Sequence, residues 1–159
     1  MLAQAEQAIQ AKIPPAMQAN FEKVVHAGLT ILYSPKLAQQ RNAQLANVTD
    51  PAQLAGQGAA RMVSNLFQQS GKKIPIPLII PAAMVLAFEF LDLAAKAGKA
   101  QITPDLIAKA TQAVADAILP LFGATKDKVA QMTAQKAGAP AAPAPAPAGG
   151  IIGNAQAGA

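Results

Sequence analysis

The chain has 159 residues, with 13 Lys and Arg against 8 Asp and Glu, one His, one Tyr, and neither Cys nor Trp. This length predicts a single domain, and the lack of Cys excludes a disulfide scaffold, a thiolate zinc site and a cysteine nucleophile. Ala and Gln, which favour helix, are abundant, whereas β-branched and aromatic residues are too sparse for a large sheet. The composition therefore predicts an all-α protein.

The formal net charge of +5 is spread along the chain. Proteins that bind nucleic acid usually concentrate basic residues in a stripe or run, but here they form only small groups, at Lys72-Lys73, Lys96/Lys99 and Lys126/Lys128. We interpret these groups mainly as solvated residues near helix C-termini, where positive charge suits the helix dipole. Weak, non-specific contact with DNA or an anionic membrane is the alternative.

The N-terminus does not resemble an export signal. The first six residues, Met-Leu-Ala-Gln-Ala-Glu, provide neither a basic n-region nor a continuous apolar h-region. The sequence therefore predicts a protein that is made and initially kept in a cytoplasm.

The first 47 residues predict three helices. Residues 1–12 form a weak Ala/Gln-rich helix, which Pro14-Pro15 ends or interrupts. Ser34-Pro35 ends the helix before it, because the residue before proline avoids the α region. Residues 36–47 then predict a shorter, polar helix. Between them, a stronger helix over about 16–33 carries a helix-packing stripe at spacings of three and four, formed by Met17, Phe21, Val24, Gly28 and Leu32.

A fourth helix is predicted from Thr49-Asp50-Pro51 to about Ser70, since Asp caps helices and proline suits the first helical position. Gly56 and Gly58 lie inside it, and each costs about 1 kcal/mol relative to Ala. Close packing against another helix is our preferred explanation for the two glycines, and a kink is the alternative. Gly71 predicts the end of the helix, where a left-handed residue is often needed.

The most apolar stretch of the chain follows. Pro75, Pro77 and Pro81 predict an extended entry up to about Pro77 and then a helix from near Pro81 to Ala97, ended by Gly98. We expect this helix to be the buried centre of the bundle. Its alternative role is an assembly or membrane-active segment, formed by Leu78, Ile79, Ile80, Met84, Val85, Leu86, Phe88, Phe90 and Leu91.

A constitutive transmembrane helix is not the preferred interpretation of this stretch. The run from Leu78 to Phe88 spans about 16 Å of helix, against a hydrocarbon core of about 30 Å. Extending it brings in Glu89 and Asp92, and an acid at the bilayer centre costs about 2.5–3.5 kcal/mol. Conditional insertion as an oligomer, with both acids lining a polar interior, is the sharper alternative.

Thr103-Pro104-Asp105 predicts another capped helix, which Pro120 and Gly123 end or bend. Its apolar stripe consists of Leu106, Ile107, Ala110, Val114, Ile118 and Leu121. Thr125 predicts a final helix to about Lys136. Together these elements predict an irregular bundle of six or seven helices within residues 1–137.

Residues 138–159 predict a disordered C-terminal tail, because an Ala/Pro-rich tract cannot form a packed core. The apolar pair Ile151-Ile152 follows this tract. A flexible tether with an adhesive end and an inert tail are the two interpretations of this pattern.

The polar residues predict no catalytic site. His26 lies mid-helix, and no serine has the local context of a nucleophile elbow. We interpret His26 as a boundary residue that, when protonated, can pair with Glu22 one turn earlier. Gly56-Gln-Gly58 lacks the strand–loop–helix context and the lysine of a phosphate-binding loop.

Glu89 and Asp92 share a helix face, as carboxylates that do acid–base work or bind a cation can do. No third ligand or His lies nearby in the sequence, and Lys96 follows one turn later. We therefore expect a surface Asp92–Lys96 pair. The sequence predicts no metal, no cofactor and no small-molecule substrate.

Parts of the chain resemble small virion-associated proteins of tailed bacteriophages. The resemblance covers about 16–133 and is carried by Met-Gln-Ala-Asn-Phe-Glu-Lys-Val-Val at 17–25, Tyr33-Ser-Pro, Gln69-Ser-Gly-Lys-Lys and the apolar run 76–92. Such proteins occupy the capsid, portal, tail or internal core, and some are ejected with the genome. The resemblance implies a non-enzymatic virion protein that forms homo-oligomers, contacts other virion proteins and conditionally contacts a membrane.

Two other interpretations stay open. A phasin-like protein of a granule or membrane surface would turn the stripes of 16–33 and 104–121 toward lipid or polyester. Phasin tails are usually richer in lysine than 138–148. A cytoplasmic bacterial helical adaptor is the third interpretation.

Overall fold

The computed structural model describes residues 1–123, which belong to one compact unit. This part of the chain contains six α-helices and no strand, which confirms the predicted all-α bundle. The helices are α1 (Leu2–Gln10), α2 (Pro15–Leu32), α3 (Ala38–Ala46), α4 (Pro51–Gln69), α5 (Ile76–Lys96) and α6 (Pro104–Leu121). The predicted helix from Thr125 to about Lys136, the domain limit at 137 and the predicted tail lie outside the described residues.

Two helices begin at the side-chain caps that the sequence predicts. Asp50 Oδ1 accepts hydrogen bonds from the backbone N–H groups of Ala52 and Gln53, at 3.0 and 3.1 Å. Thr103 Oγ1 accepts one from the N–H of Leu106 at 3.2 Å. Each cap satisfies N–H groups that have no partner within the helix, so α4 and α6 begin at defined residues.

The predicted ends of α4 and α5 are also confirmed. Gly71 and Gly98 follow these helices with φ angles of 66° and 69°, in the left-handed region that glycine adopts without steric cost. The predicted helix over 36–47 divides into a 3-10 turn, Pro35–Leu37, and the short helix α3.

The predicted start of α5 near Pro81 is wrong, because the helix begins at Ile76. Pro75 is the extended residue before it, and Pro77 lies in the first turn, where a backbone N–H has no intrahelical partner to lose. Pro81 lies one turn further on and removes only the bond to the carbonyl of Pro77. The extended entry is therefore shorter than predicted, and α5 has 21 residues.

Helix α5 lies at the centre of the bundle. It packs against α1, α2, α4 and α6, and α4 also packs along α6. The largest fully buried side chains come mostly from α5, with one each from α4 and α6: Leu78, Ile79, Leu86, Leu91, Val63 and Val114. Helix α3 contacts chiefly the preceding 3-10 turn, and Leu45 is its one buried residue.

Gly56 allows α4 and α6 to approach closely. A Cβ atom added to it would lie 2.7 Å from the carbonyl carbon of Ala113 and 2.8 Å from the backbone nitrogen of Val114. Helix α4 continues through this residue without interruption. The packing explanation for Gly56 is therefore confirmed over the kink.

Candidate functional site

The apolar helix α5 is the candidate functional segment, and its side chains lie mostly in the core. Of the nine residues predicted as an assembly or membrane-active segment, Ile80 and Met84 are half-buried. The other seven are buried: Leu78, Ile79, Val85, Leu86, Phe88, Phe90 and Leu91. While the bundle is closed, these seven side chains are not available to a partner. Contact through them requires α5 to separate from its neighbours.

The predicted packing stripe of α2 faces this helix. Phe21, Val24, Gly28 and Leu32 are buried, and Met17 is half-buried. A Cβ on Gly28 would lie 3.1 Å from Cγ of Leu86 and closer still to its methyl groups. The backbone of α2 therefore contacts the centre of α5 directly, and the stripe forms part of the bundle interior.

The second half of α5 carries a polar cluster that reaches two other helices. Tyr33, directly after α2, donates a hydrogen bond from Oη to Oε2 of Glu89 at 2.7 Å. Asp92 forms the predicted ion pair with Lys96 one turn later. On α1, burial and the negative charges of Glu89 and Asp92 raise the pKa of Glu6 above its ordinary value of 4.5.

This cluster also affects Tyr33. Partial burial, followed by the hydrogen bond to Glu89, raises the pKa of Tyr33 to about 12. The phenol therefore stays protonated and donates to the carboxylate throughout the neutral range. The arrangement joins the end of α2 to α5 through a single polar contact.

The cluster is not arranged as a metal site. Among residues 1–123, no three His, Cys, Asp or Glu side chains converge to hold a metal ion. His26 is exposed on α2, and no ion pair joins it to Glu22 in this part of the chain.

Sequence reasoning missed several residues that the fold brings into the polar cluster or into a cleft. Glu6 carries no sequence signal, because its neighbours come from a helix more than eighty positions away. Tyr33 had one available signal, as the single tyrosine of the chain at the end of a strongly periodic helix. Arg41 and Arg61 are the two arginines of the chain, and both line one cleft between α3 and α4.

Helix α5 is the one described helix with the length and hydropathy to cross a membrane. An 18-residue window has a mean hydropathy of 2.0, and 61% of that window is buried within the bundle. The core helix of a water-soluble protein passes the same test. By length and composition alone, α5 is therefore able to cross a membrane.

The stripes that a granule-surface protein would expose lie largely inside the bundle. In α6 the stripe residues Ala110, Val114 and Ile118 are buried, Leu106 and Ile107 are half-buried and Leu121 is exposed, and the stripe of α2 covers α5. A surface-binding role for these faces would therefore require the bundle to open.

No protein-family model, curated protein or solved structure matches this sequence. A functional proposal therefore rests on the geometry of the bundle and on the sequence resemblance described above.

Proposed function

We propose that this protein is a non-enzymatic structural component of a bacteriophage virion, present in several copies, whose helix α5 can leave the bundle and enter a lipid bilayer when the protein is ejected with the genome. The observation that carries this proposal is the double character of α5. It is the central core helix of the bundle, and it is also long and apolar enough to cross a membrane.

The length of α5 matches a bilayer. Its 21 residues give about 31 Å of helix, and a bilayer has a hydrocarbon core of about 30 Å. The sequence alone suggested a shorter apolar run, Leu78 to Phe88, which stops at the first acid. The full helix Ile76–Lys96 reaches this length only by including Glu89, Asp92 and Lys96.

The neighbours of α5 cover it partly through residues without bulky side chains. Helix α2 approaches Leu86 through Gly28, and α4 approaches the ring of Phe90 through Gly58. At these two points Leu86 and Phe90 pack directly against backbone. Separation of α5 therefore withdraws these two side chains from glycines rather than from between large side chains.

The acids of α5 favour insertion in several copies. Glu89 and Asp92 lie in the second half of the helix, and acids within a membrane usually face a bundle interior or a water-filled cavity. Several copies of α5 could direct these side chains toward a shared polar interior. This requirement agrees with the multi-copy role that the sequence resemblance implies.

The assignment to a virion rests on the resemblance of 17–25, Tyr33-Ser-Pro and 69–92 to small phage proteins. Its test is quantitative mass spectrometry of virus particles taken through successive gradient purifications. We expect a constant number of copies per particle at every step. Loss of the protein during purification, or its absence from particles, would overturn the virion assignment.

The membrane role has a separate test, because it concerns the purified protein. Dye release from vesicles containing anionic lipid should rise when the bundle is loosened by low denaturant or by warming. No release under any of these conditions would remove the membrane role, whatever the particles contain.

A further inference from the structure

A cleft of about 550 Å³ lies between α3 and α4. It is bounded by the end of α2, the turn before α3, one face each of α3 and α4, and Phe90 of α5. We call it the α3–α4 cleft. Its volume lies within the range of small-molecule sites, which is about 300–1,000 Å³.

The floor of the α3–α4 cleft is apolar. Leu32, Leu54, Met62 and Phe90 line it from α2, α4 and α5. The tip of the Phe90 ring packs against the backbone at Gly58, since a Cβ on this glycine would lie 3.0 Å from Cζ. The glycine therefore allows the aromatic ring to lie close to α4 where it lines the cleft.

Polar side chains line the rest of the cleft. Helix α3 contributes Gln40, Arg41 and Gln44, which lie on one helix face, and α4 contributes Gln57, Arg61, Asn65 and Gln69. Helices in a bundle normally pack apolar faces together, whereas here polar and apolar side chains line one open cleft. Such a space is complementary to a molecule that is itself polar on one side and apolar on the other.

The charged residues of the cleft indicate the charge of the polar group that a ligand would carry. Arg41 and Arg61 both line it, and no Asp or Glu is among its lining residues. Arg41 donates a hydrogen bond to the carbonyl of Leu32, which holds its guanidinium at the cleft. Arg61 is exposed and forms no ion pair within residues 1–123. Two guanidinium groups without a carboxylate favour an anion, and carboxylates match their geometry.

We propose that the α3–α4 cleft binds a single-chain amphiphilic carboxylate, with the carboxylate at Arg61 and Arg41 and the apolar chain on the floor formed by Leu32, Met62 and Phe90. This site does not require α5 to leave the bundle. It is therefore independent of the virion and membrane roles proposed above.

The test is calorimetric titration of the purified full chain with decanoate below its aggregation concentration. The matched ligands are decan-1-ol, which keeps the apolar chain, and acetate, which keeps the carboxylate. We expect saturable one-to-one binding of decanoate, binding of decan-1-ol at least about tenfold weaker, because a charge-assisted hydrogen bond is lost, and no binding of acetate. Equal binding of decanoate and decan-1-ol, or no saturable binding of decanoate, would overturn the proposal.

Three variants make the test specific to this cleft. Arg61→Gln should weaken the binding of decanoate at least about tenfold and leave the binding of decan-1-ol unchanged, since the substitution removes only charge-assisted hydrogen bonds. Met62→Gln should weaken the binding of both ligands, because it places a polar side chain on the apolar floor. Lys109→Gln, which removes an exposed cation outside the cleft, should change neither.

Circular dichroism of each variant would establish that it is folded. Decanoate binding that Arg61→Gln leaves unchanged would contradict the site. Binding only to vesicles that contain decanoate, and not to the free molecule, would also contradict it, because it would assign the affinity to a lipid surface.

Discussion

The hydroxyl of Tyr33 donates a hydrogen bond to Glu89 at 2.7 Å, across 56 positions of sequence. This contact joins the end of α2 to the second half of α5. It connects the helix that covers Leu86 with the polar cluster of α5. Because Tyr33 is the single tyrosine of the chain, its ionisation can be followed without interference from another phenol.

The ultraviolet absorbance of tyrosinate should titrate in the folded protein with a midpoint near 12 rather than 10. Glu89→Gln should lower this midpoint, but not fully to 10, because partial burial of the phenol is the larger cause of the shift. Circular dichroism at each pH would establish that the bundle is still folded. A midpoint of 10 in the unmodified protein, or one that Glu89→Gln does not move, would contradict the contact.

The stability of the bundle should depend on pH through Glu6. Its pKa is raised in the folded state, so its contribution to stability is complete below about 4.5 and is lost as the pH rises through the raised pKa. Glu6→Gln, which stays neutral, should therefore be more stable than the unmodified protein at neutral pH. The difference should disappear in acid.

Urea unfolding at several pH values would measure this difference. Glu22→Gln, which removes an exposed carboxylate on α2, is the matched control and should show no such gain. Equal behaviour of the two variants would contradict the raised pKa of Glu6, which burial and then the charges of Glu89 and Asp92 produce.

Gly56→Ala should destabilise the protein more than Gly58→Ala. At Gly56 the added methyl group meets the backbone of α6, whereas at Gly58 it meets an aromatic ring that can shift by a few tenths of an ångström. Overpacking costs about 1–3 kcal/mol, against about 1 kcal/mol gained in helix propensity. Midpoints of urea unfolding would rank the two variants. The reverse order would contradict the close approach of α4 and α6.

Leu86→Ala should lower the free energy of unfolding by about 2–5 kcal/mol, because Leu86 is fully buried at the centre of α5. Ile76→Ala, at the 69% exposed first residue of the same helix, should change it by less than about 0.5 kcal/mol. Thermal or urea unfolding of both variants would test this. Similar losses in the two variants would contradict the central position of α5.

Local signals in the sequence predicted much of the fold. Asp50 and Thr103 are caps whose function depends on residues two or three positions away, so they could be recognised without the tertiary structure. The start of α5 could not be recognised in this way. Pro77 suits either an extended segment or a first helical turn, and Pro81 costs one intrahelical hydrogen bond, so the prolines alone do not fix the start. The earlier start places Leu78 and Ile79 in the core, where both are buried.

The polar sites depended on long-range contacts and were therefore less predictable. The Asp92–Lys96 pair spans one helical turn and was predicted. Glu6 on α1 is influenced by the charges of Glu89 and Asp92 on α5. Arg41 on α3 and Arg61 on α4 line the same cleft. No periodicity or spacing in the sequence connects such residues.

The proposed function depends most on the separation of α5 from the bundle. A disulfide that holds α5 against α2 and can be reduced tests this separation most directly. Leu86→Asp would place an acid in the core and unfold the bundle, so it cannot isolate insertion. A disulfide between Gly28→Cys and Leu86→Cys can isolate it, because a Cβ at position 28 lies 3.1 Å from the Cγ of Leu86, close to where the sulfur of a Cys at 86 would lie. Since Leu86→Cys also removes buried volume, circular dichroism must first show that the reduced form is folded. The chain has no other Cys.

Dye release from anionic vesicles is the measurement, with the same variant compared in its oxidised and reduced forms. The account predicts release by the reduced form and none by the oxidised form, in which α5 stays joined to α2. Equal release by the two forms would contradict the separation of α5.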